Sequence, residues 1–156
     1  MAKLNIIKYP DPFLEKTSKP VTNFDTRLHQ LMDDMVDTMY KSRGIGLAAV
    51  QVGYLLRILV MDNFSEEDVN DEDVDVLEFV NPEIIKTSKK TIQYTEACLS
   101  VPGESTEKTR YEHLTVRAQN RFGKHFEMKL TDMNAIVFQH EFDHLNGILI
   151  NLKLAL

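Results

Sequence analysis

The sequence contains no tryptophan and a single cysteine, Cys98, among its 156 residues. One cysteine cannot form an intramolecular disulfide, so nothing here indicates an oxidising compartment. No apolar run approaches the roughly 20 residues of a membrane-spanning helix, and the N-terminus lacks the apolar core of a secretory signal. Lysine and arginine do not cluster into a stripe, which argues against nucleic-acid binding through a basic surface. We therefore expect a cytoplasmic protein that binds neither nucleic acid nor membrane.

The remaining composition is typical of a globular domain. Apolar residues make up 43% of the chain and charged residues 27%, with a formal net charge of -6. A chain of this length buries about two-thirds of its unfolded surface. There is no internal repeat or linker, so the sequence predicts a single domain over residues 1–156.

The segment around His140 and His144 carries the strongest functional indication. The two histidines are four residues apart in a helical pattern, so their side chains lie on one helix face. Two such imidazoles can bind one divalent metal, and Glu141 between them is suited to act as a base. A catalytic site of this kind commonly has three protein ligands and an open position for water. Cys98 is a candidate third ligand, although from the residues alone a small buried apolar side chain is an equal alternative.

Hydrophobic periodicity predicts two helices. Apolar residues recur at helical spacing from Leu28 to Met39, and the methionines of this stripe are interpreted as core packing. The second helix carries His140 and is apolar nearly all round, so it should be buried, with Gly147 well placed as its C-terminal stop. The candidate N-caps are Asn23 and Asp25 for the first helix, and Thr131 and Asp132 for the second.

Short apolar and alternating runs predict the strands. Pro82 lies inside one of them and indicates an edge strand or a bend. Nine acidic residues between Asp62 and Glu78 lack EF-hand spacing, so we interpret that stretch as a solvated loop in which calcium binding is not expected. The predicted strands are 56–61, 78–86, 90–94, a hairpin of 114–118 with 126–130, and a last strand within 148–156.

Three segments together resemble the signature motifs of peptide deformylases, in the same order and at similar separations. They are Gly44-Ile45-Gly46-Leu47-Ala48-Ala49-Val50-Gln51, Glu96-Ala97-Cys98-Leu99-Ser100 and Gln139-His140-Glu141-Phe142-Asp143-His144. The resemblance covers essentially the whole chain. It implies an α+β fold in which antiparallel β-sheets surround a central buried helix carrying the HExxH motif. It also implies removal of the formyl group from N-formylmethionyl nascent peptides.

The resemblance assigns the chemical roles. It makes Cys98, His140 and His144 the ligands of one divalent metal, with Fe(II) expected in the cell and zinc, nickel or cobalt as alternatives. The metal acidifies a bound water that attacks the formyl carbon. Glu141 would take the proton of that water and return it to the leaving amine.

The same resemblance indicates how the substrate is held. The side-chain amide of Gln51 and the backbone N–H of Leu99 would stabilise negative charge on the formyl oxygen. The glycines at 44 and 46 would let an extended peptide approach the backbone like an added strand. The methionine side chain would be received by Ile45, Met133, Ile136 and Val137, although ordinary core packing stays open for part of this set. The substrate-binding candidates are Gly44, Ile45, Gly46, Ala97, Met133, Ile136 and Val137.

Two departures from the family pattern affect these expectations. Ala97 stands where the family usually has glycine, and a Cβ would cost roughly 1 kcal/mol if that backbone requires φ > 0. The sequence stops nine residues after Gly147, as in short phage-encoded members without a C-terminal helix. We therefore expect weak or differently mediated association with the ribosome.

The sequence makes two further structural predictions. Glu96 and Arg110 are expected to form an ion pair that braces the Cys98 segment. His29, His113 and His125 lie in polar surroundings and are expected to be solvated.

Two alternative functions stay open. A zincin-type peptidase uses the same HExxH helix, but its third ligand is usually a downstream Glu or His, and the 12 residues after His144 contain neither. A non-catalytic paralogue that binds formylated N-termini is suggested by Ala97 alone, and the presence of Glu141 argues against it.

Overall fold

The computed structural model describes residues 3–65 and 75–151. Within these ranges the chain forms two α-helices, α1 (Thr26–Lys41) and α2 (Asp132–Leu145), and two short 3-10 helices, Pro12–Glu15 and Ala49–Val52. The strands are β1 (Gly46–Ala48), β2 (Ile58–Asp62), β3 (Val76–Thr87), β4 (Thr91–Cys98), β5 (Val101–Tyr111), β6 (His113–Gln119) and β7 (His125–Thr131).

The strands form two antiparallel sheets. The larger sheet has the order β1-β2-β3-β6-β7, and β4 pairs with β5 in a separate two-stranded ribbon. The predicted hairpin is β6–β7, with Val116 opposite Met128 and Leu114 opposite Leu130. The predicted α+β class with antiparallel sheets is therefore confirmed.

Helix α2 lies between the two sheets. It packs against β1, β2 and β7 of the larger sheet and against β5 of the ribbon. Ten of its 14 residues are buried, which confirms the burial predicted from its nearly uniform apolar surface. Gly147 follows the helix with φ +74°, and a Cβ there would overlap the backbone oxygen of Glu15. Gly147 therefore ends the helix, as predicted, and also allows its backbone to lie close to the backbone of Glu15.

Helix α1 covers the face of the larger sheet that lies opposite to α2, where it packs on β1 and β2. Asp25 caps it, its side chain accepting a hydrogen bond from the Leu28 amide at 3.1 Å. Ile58 and Val60 of β2 belong to the core cluster around α1, whereas Leu59 and Met61 belong to the cluster around α2. A strand covered on both faces is expected to be apolar at successive positions, as β2 is.

Three strand-level expectations need correction. β3 is an interior strand, so Pro82 does not mark an edge; it lies at a register shift between Val80 and Glu83 in the pairing with β6, which agrees with the other alternative, a bend. The acidic stretch is not a loop at its ends, since Asp62 belongs to β2 and Val76 begins β3. The predicted last strand is absent from 148–151, which forms no β-structure. Residues 66–74 and 152–156 lie outside the described residues.

Strand β5 was not predicted at all. The ribbon that it forms with β4 is exposed along most of its length, so its sequence shows no alternation of apolar and polar residues. In the described part of the chain, neither helix combines the length and apolarity that crossing a membrane requires.

Candidate metal centre

The fold brings Cys98, His140 and His144 together. Cys98 ends β4, and the two histidines lie one turn apart on α2. One ligand atom from each of the three residues lies within 4.8 Å of the others. The Cys98 Sγ atom is 3.3 Å from His144 Nε2, and the two imidazole centroids are 5.2 Å apart. Sulfur and two imidazoles therefore converge on one point.

The orientation of His140 is set by Glu96. Its Nδ1 donates a hydrogen bond of 2.9 Å to Glu96 Oε1, since a carboxylate can only accept. The opposite ring nitrogen, Nε2, faces Glu141 Oε2 at 3.7 Å. Histidines that bind metals commonly donate their other N–H to a carboxylate in this way.

Arg110 of β5 connects this carboxylate to α2. Its guanidinium donates two hydrogen bonds to Glu96, both of 2.7 Å, and a third of 2.7 Å to Asp143. The predicted Glu96–Arg110 ion pair is confirmed, and the contacts with Asp143 and His140 are additional. Burial alone would raise the pKa of Glu96, but hydrogen bonds from Arg110 and His140 outweigh it and hold that pKa at about 2. Glu96 is thus a fixed anion behind the ligand cluster.

The electrostatic environment of the cluster favours a cation. Burial raises the pKa of Glu141 to about 7, against the opposing effect of His140, and Glu141 Oε1 is buried without a hydrogen-bond partner among the described residues. Burial lowers the pKa of His140, but Glu141, Cys98 and Glu96 outweigh it and raise that pKa to about 10. Burial, then the charges of His140 and Arg110, lower the pKa of His144 well below its usual value. A positive charge is therefore favoured beside His140, and His144 presents a neutral imidazole.

Gln51 is held beside the cluster by three polar contacts of its side chain. Its Oε1 accepts a hydrogen bond of 2.9 Å from the Ala48 amide, which fixes the direction of the side-chain amide. Its Nε2 donates to Ser100 Oγ at 3.1 Å and lies 3.7 Å from Cys98 Sγ. Ser100 is fully buried and Gln51 is 1% exposed. Sequence reasoning did not single out Ser100, because a serine two residues after a cysteine has no distinctive pattern.

A cavity of about 390 Å³ opens beside the cluster. Met133, Ile136 and Val137 of α2 give it an apolar wall. All seven predicted substrate-binding residues line it, together with Gln51, Cys98, Leu99, His140 and Glu141. Its other lining residues are Glu96, which the sequence predicted as the partner of Arg110, and Arg43, Tyr94 and Thr95, which it did not indicate.

Two glycines of the first motif leave room for neighbouring side chains. A Cβ at Gly46 would lie 2.7 Å from Glu141 Oε2, and a Cβ at Gly44 would lie 2.5 Å from Leu99 Cδ1. Such distances are well below van der Waals contact. Gly46 therefore gives Glu141 the space that its carboxylate occupies.

Ala97 introduces no backbone strain. The described non-glycine residues with positive φ are Arg43, Asn81 and Asp132, and Ala97 is not one of them. It lies in β4 opposite Ser105. The cost that a Cβ would incur at positive φ does not arise here.

The other histidines lie away from the cavity. His125 is exposed, as predicted. His29 is half-buried, with Nε2 2.7 Å from the carbonyl oxygen of Arg121, and His113 is half-buried, with Nε2 3.2 Å from Glu112 Oε1. These two are therefore only partly solvated, and each also has a protein partner.

Comparison with known proteins identifies the family. The polypeptide deformylase family model matches residues 3–155. A peptide deformylase of Helicobacter pylori is 47% identical over 156 residues, covering 100% of this chain and 88% of that protein. One of Chromobacterium violaceum is 49% identical, covering 95% of this chain and 84% of that protein. The crystal structure of the Thermotoga maritima peptide deformylase superposes with a TM-score of 0.86 at 41% identity and covers 96% of both chains. These matches confirm the resemblance carried by the three motifs, and the chain belongs to the peptide deformylase family.

Proposed function

We propose that this protein hydrolyses the formamide of N-formylmethionyl nascent peptides and releases formate. The observation that carries the proposal is the convergence of Cys98, His140 and His144 within 4.8 Å, next to Glu141 and an apolar cavity. Since nascent chains emerge from ribosomes in the cytoplasm, we place the reaction there.

The ligand cluster fits a divalent transition metal. A thiolate with two imidazoles suits Fe(II), zinc, nickel and cobalt, and three protein ligands leave a position open. Cys98, His140 and His144 would hold the ion, and we favour Fe(II) as the ion used in the cell. When bound, it supplies Lewis-acid activation of water and of the formyl oxygen.

Glu141 is the proposed general base and acid. Its carboxylate is 3% exposed and adjoins both the ligand cluster and the cavity. It would take a proton from the attacking water and deliver that proton to the departing amine nitrogen of methionine. The space left by Gly46 keeps its Oε2 atom free to face the substrate.

The rest of the cavity positions the substrate. The Nε2 group of Gln51 and the backbone N–H of Leu99 would donate hydrogen bonds to the formyl oxygen as its negative charge develops. The main chain of the peptide would pair with Ile45 and Gly46 on one side and with Ala97 on the other, like an added strand. The methionine side chain would lie against the apolar wall formed by Met133, Ile136 and Val137.

The test is formate release from formyl-Met-Ala by anaerobically prepared, Fe(II)-loaded protein. We expect turnover of this peptide, no turnover of acetyl-Met-Ala, and no cleavage of casein, which a zincin-type peptidase would cut. The variant Glu141→Ala should keep its metal but lose roughly 100-fold or more in kcat. Absence of formate from the loaded wild type, or equal rates for the two proteins, would overturn the proposal.

A further inference from the structure

Asn134 is a buried polar residue in an apolar part of α2. Its side chain is 7% exposed, and its neighbours on the helix, Met133, Ile136 and Val137, form the apolar wall of the cavity beside the ligand cluster. Asparagine has a lower helix propensity than leucine, and burying its amide costs free energy unless its polar atoms are hydrogen-bonded. The stability of this residue in the helix therefore depends on the bonds that its side chain makes.

Both polar atoms of the Asn134 side chain bond to the segment that follows β2. Its Oδ1 accepts a hydrogen bond of 2.8 Å from the Phe64 amide, and its Nδ2 donates one of 2.9 Å to Asn63 Oδ1. A leucine has a similar volume but would make neither bond. The first turn of α2 is therefore joined to residues 63 and 64 by two hydrogen bonds of one side chain.

The same segment also bonds to the edge of the cavity. The Asp62 amide donates a hydrogen bond of 2.9 Å to the carbonyl oxygen of Ile45, and the Asn63 amide donates one of 2.9 Å to that of Asp75. Ile45 lines the cavity, is 45% exposed and directly precedes β1. The successive amides of residues 62–64 thus bond to the residue before β1, to the residue before β3 and to α2. Through this segment, Asn134 is connected with Ile45.

Helix α2 also contacts β1 in its C-terminal half. A Cβ at Gly46 would lie 2.7 Å from Glu141 Oε2, so the helix and the strand approach closely there. Glu141 follows Asn134 by seven residues, which is about 10.5 Å along a helix. Met61, the partner of Gly46, precedes Phe64 by three residues, which is about 10 Å along an extended chain. The two contacts have about the same spacing on both elements, and most of the apolar wall lies between them.

We propose that Asn134 is a positioning residue that fixes the distance between Ile45 and the apolar wall, and thereby the width of the subsite for the methionine side chain. The inference rests on the proposed function, which places that side chain against Met133, Ile136 and Val137. With both bonds of Asn134 in place, the first turn of α2 and Ile45 cannot move apart without breaking a hydrogen bond. Without them, this end of the subsite can widen.

The experiment replaces Asn134 by leucine and measures formate release by the metal-loaded protein from formyl-Met-Ala and from formyl-Phe-Ala, whose side chain is larger. We expect KM for formyl-Met-Ala to rise about three- to tenfold, because binding must then order a subsite that the two hydrogen bonds had fixed. The kcat for this peptide should change less than about twofold, since the ligand cluster and Glu141 lie further along the helix. The preference for methionine over phenylalanine in kcat/KM should fall by about threefold or more.

Thr38→Val is a matched control. Thr38 is a fully buried side chain of α1, and its hydroxyl accepts a hydrogen bond of 2.8 Å from the Leu4 amide, so it too bonds a helix to a loop amide. It does not line the cavity. Valine has nearly the same shape but cannot accept the bond. This variant should lose stability in urea but retain the KM and the methionine preference of the wild type.

Asn134→Asp separates the two bonds, because it keeps an acceptor for the Phe64 amide and loses the donor to Asn63. Its KM should exceed that of the wild type by about twofold or more, and this is the deciding value if Asn134→Leu does not fold. Wild-type KM and methionine preference in the folded Asn134 variants, even with lower stability in urea, would show a structural role only and would overturn the inference. Failure of the wild type to release formate from formyl-Met-Ala would instead contradict the proposed function.

Discussion

Replacing Ser100 by alanine should impair the reaction through Gln51. The Ser100 hydroxyl accepts one of the two hydrogens of Gln51 Nε2 at 3.1 Å, and the Ala48 amide holds Oε1 at 2.9 Å. The second hydrogen of Nε2 is directed toward Cys98 Sγ at 3.7 Å, a long contact that the formyl oxygen of a bound substrate would replace. Ser100 thus determines which way the donating N–H group points, although it would not touch the substrate itself.

The size of the effect follows from burial. In Ser100→Ala one hydrogen of a 1% exposed amide loses its acceptor, which costs about 1–3 kcal/mol if the amide stays in place. The amide can avoid that cost by turning, and its other N–H then leaves the formyl oxygen. Complete loss of one such donor lowers kcat by about 10²–10³-fold. Because Ser100 acts indirectly, we expect kcat to fall by about 10- to 100-fold with KM changed less than about threefold.

The assay is steady-state formate release from formyl-Met-Ala, with the metal content of each variant measured in parallel. Ser18→Ala is a suitable control, because Ser18 is also a buried serine and its hydroxyl has no partner among the described residues. It should change kcat little. In a Gln51→Ala background, Ser100→Ala should lower the residual rate no further. An equal loss in both backgrounds would show that Ser100 has a structural role only and would refute the reasoning.

Three other predictions test the packing and the ligand set. Gly46→Ala places a Cβ 2.7 Å from Glu141 Oε2, so formate release should fall about tenfold or more, and a wild-type rate would show that the carboxylate is not confined. Gly147→Ala combines positive φ with a backbone overlap and should lower the free energy of unfolding by about 2–4 kcal/mol in urea. Gly103→Ala has φ +80° with nothing within 4 Å of its Cβ and should cost only about 1 kcal/mol, so equal losses would contradict the overlap. Cys98→Ala should lose stoichiometric metal on dialysis while retaining its circular dichroism spectrum, and a bound equivalent of metal would remove the thiolate from the ligand set.

Elements with one regular burial pattern could be predicted from the sequence. The stripe on α1 and the nearly uniform apolar surface of α2 each reflect a single environment along the whole helix. The β6–β7 hairpin alternates because one face packs on the core. Strand β5 has no such pattern, because it pairs with β4 in a ribbon that contacts water on both faces over much of its length. Neither Pro102 nor Gly103 near its start suggests a strand.

The residues of the candidate site also differ in whether the sequence could predict their roles. His140, Glu141 and His144 could be predicted because their spacing on one helix already brings them together. Cys98 lies 42 residues before His140, so its role depended on the family resemblance rather than on any local pattern. The contact between Gln51 and Ser100 spans 49 positions, and no sequence periodicity relates the two.

The orientation of the His140 ring depends on residues that only the tertiary structure brings together. Glu96 accepts its Nδ1–H from a position 44 residues away, and Arg110 holds Glu96 from the neighbouring strand. Arg110 also reaches Asp143 on the same helix as His140, so the network returns to the element that it orients. A helix that carried both histidines but lacked this buried chain of charges would leave Nδ1 of His140 without an acceptor and its ring free to turn. The helix spacing therefore brings two ligands together, but the contacts that Glu96 and Arg110 of the β4–β5 ribbon make determine the direction in which one of them points.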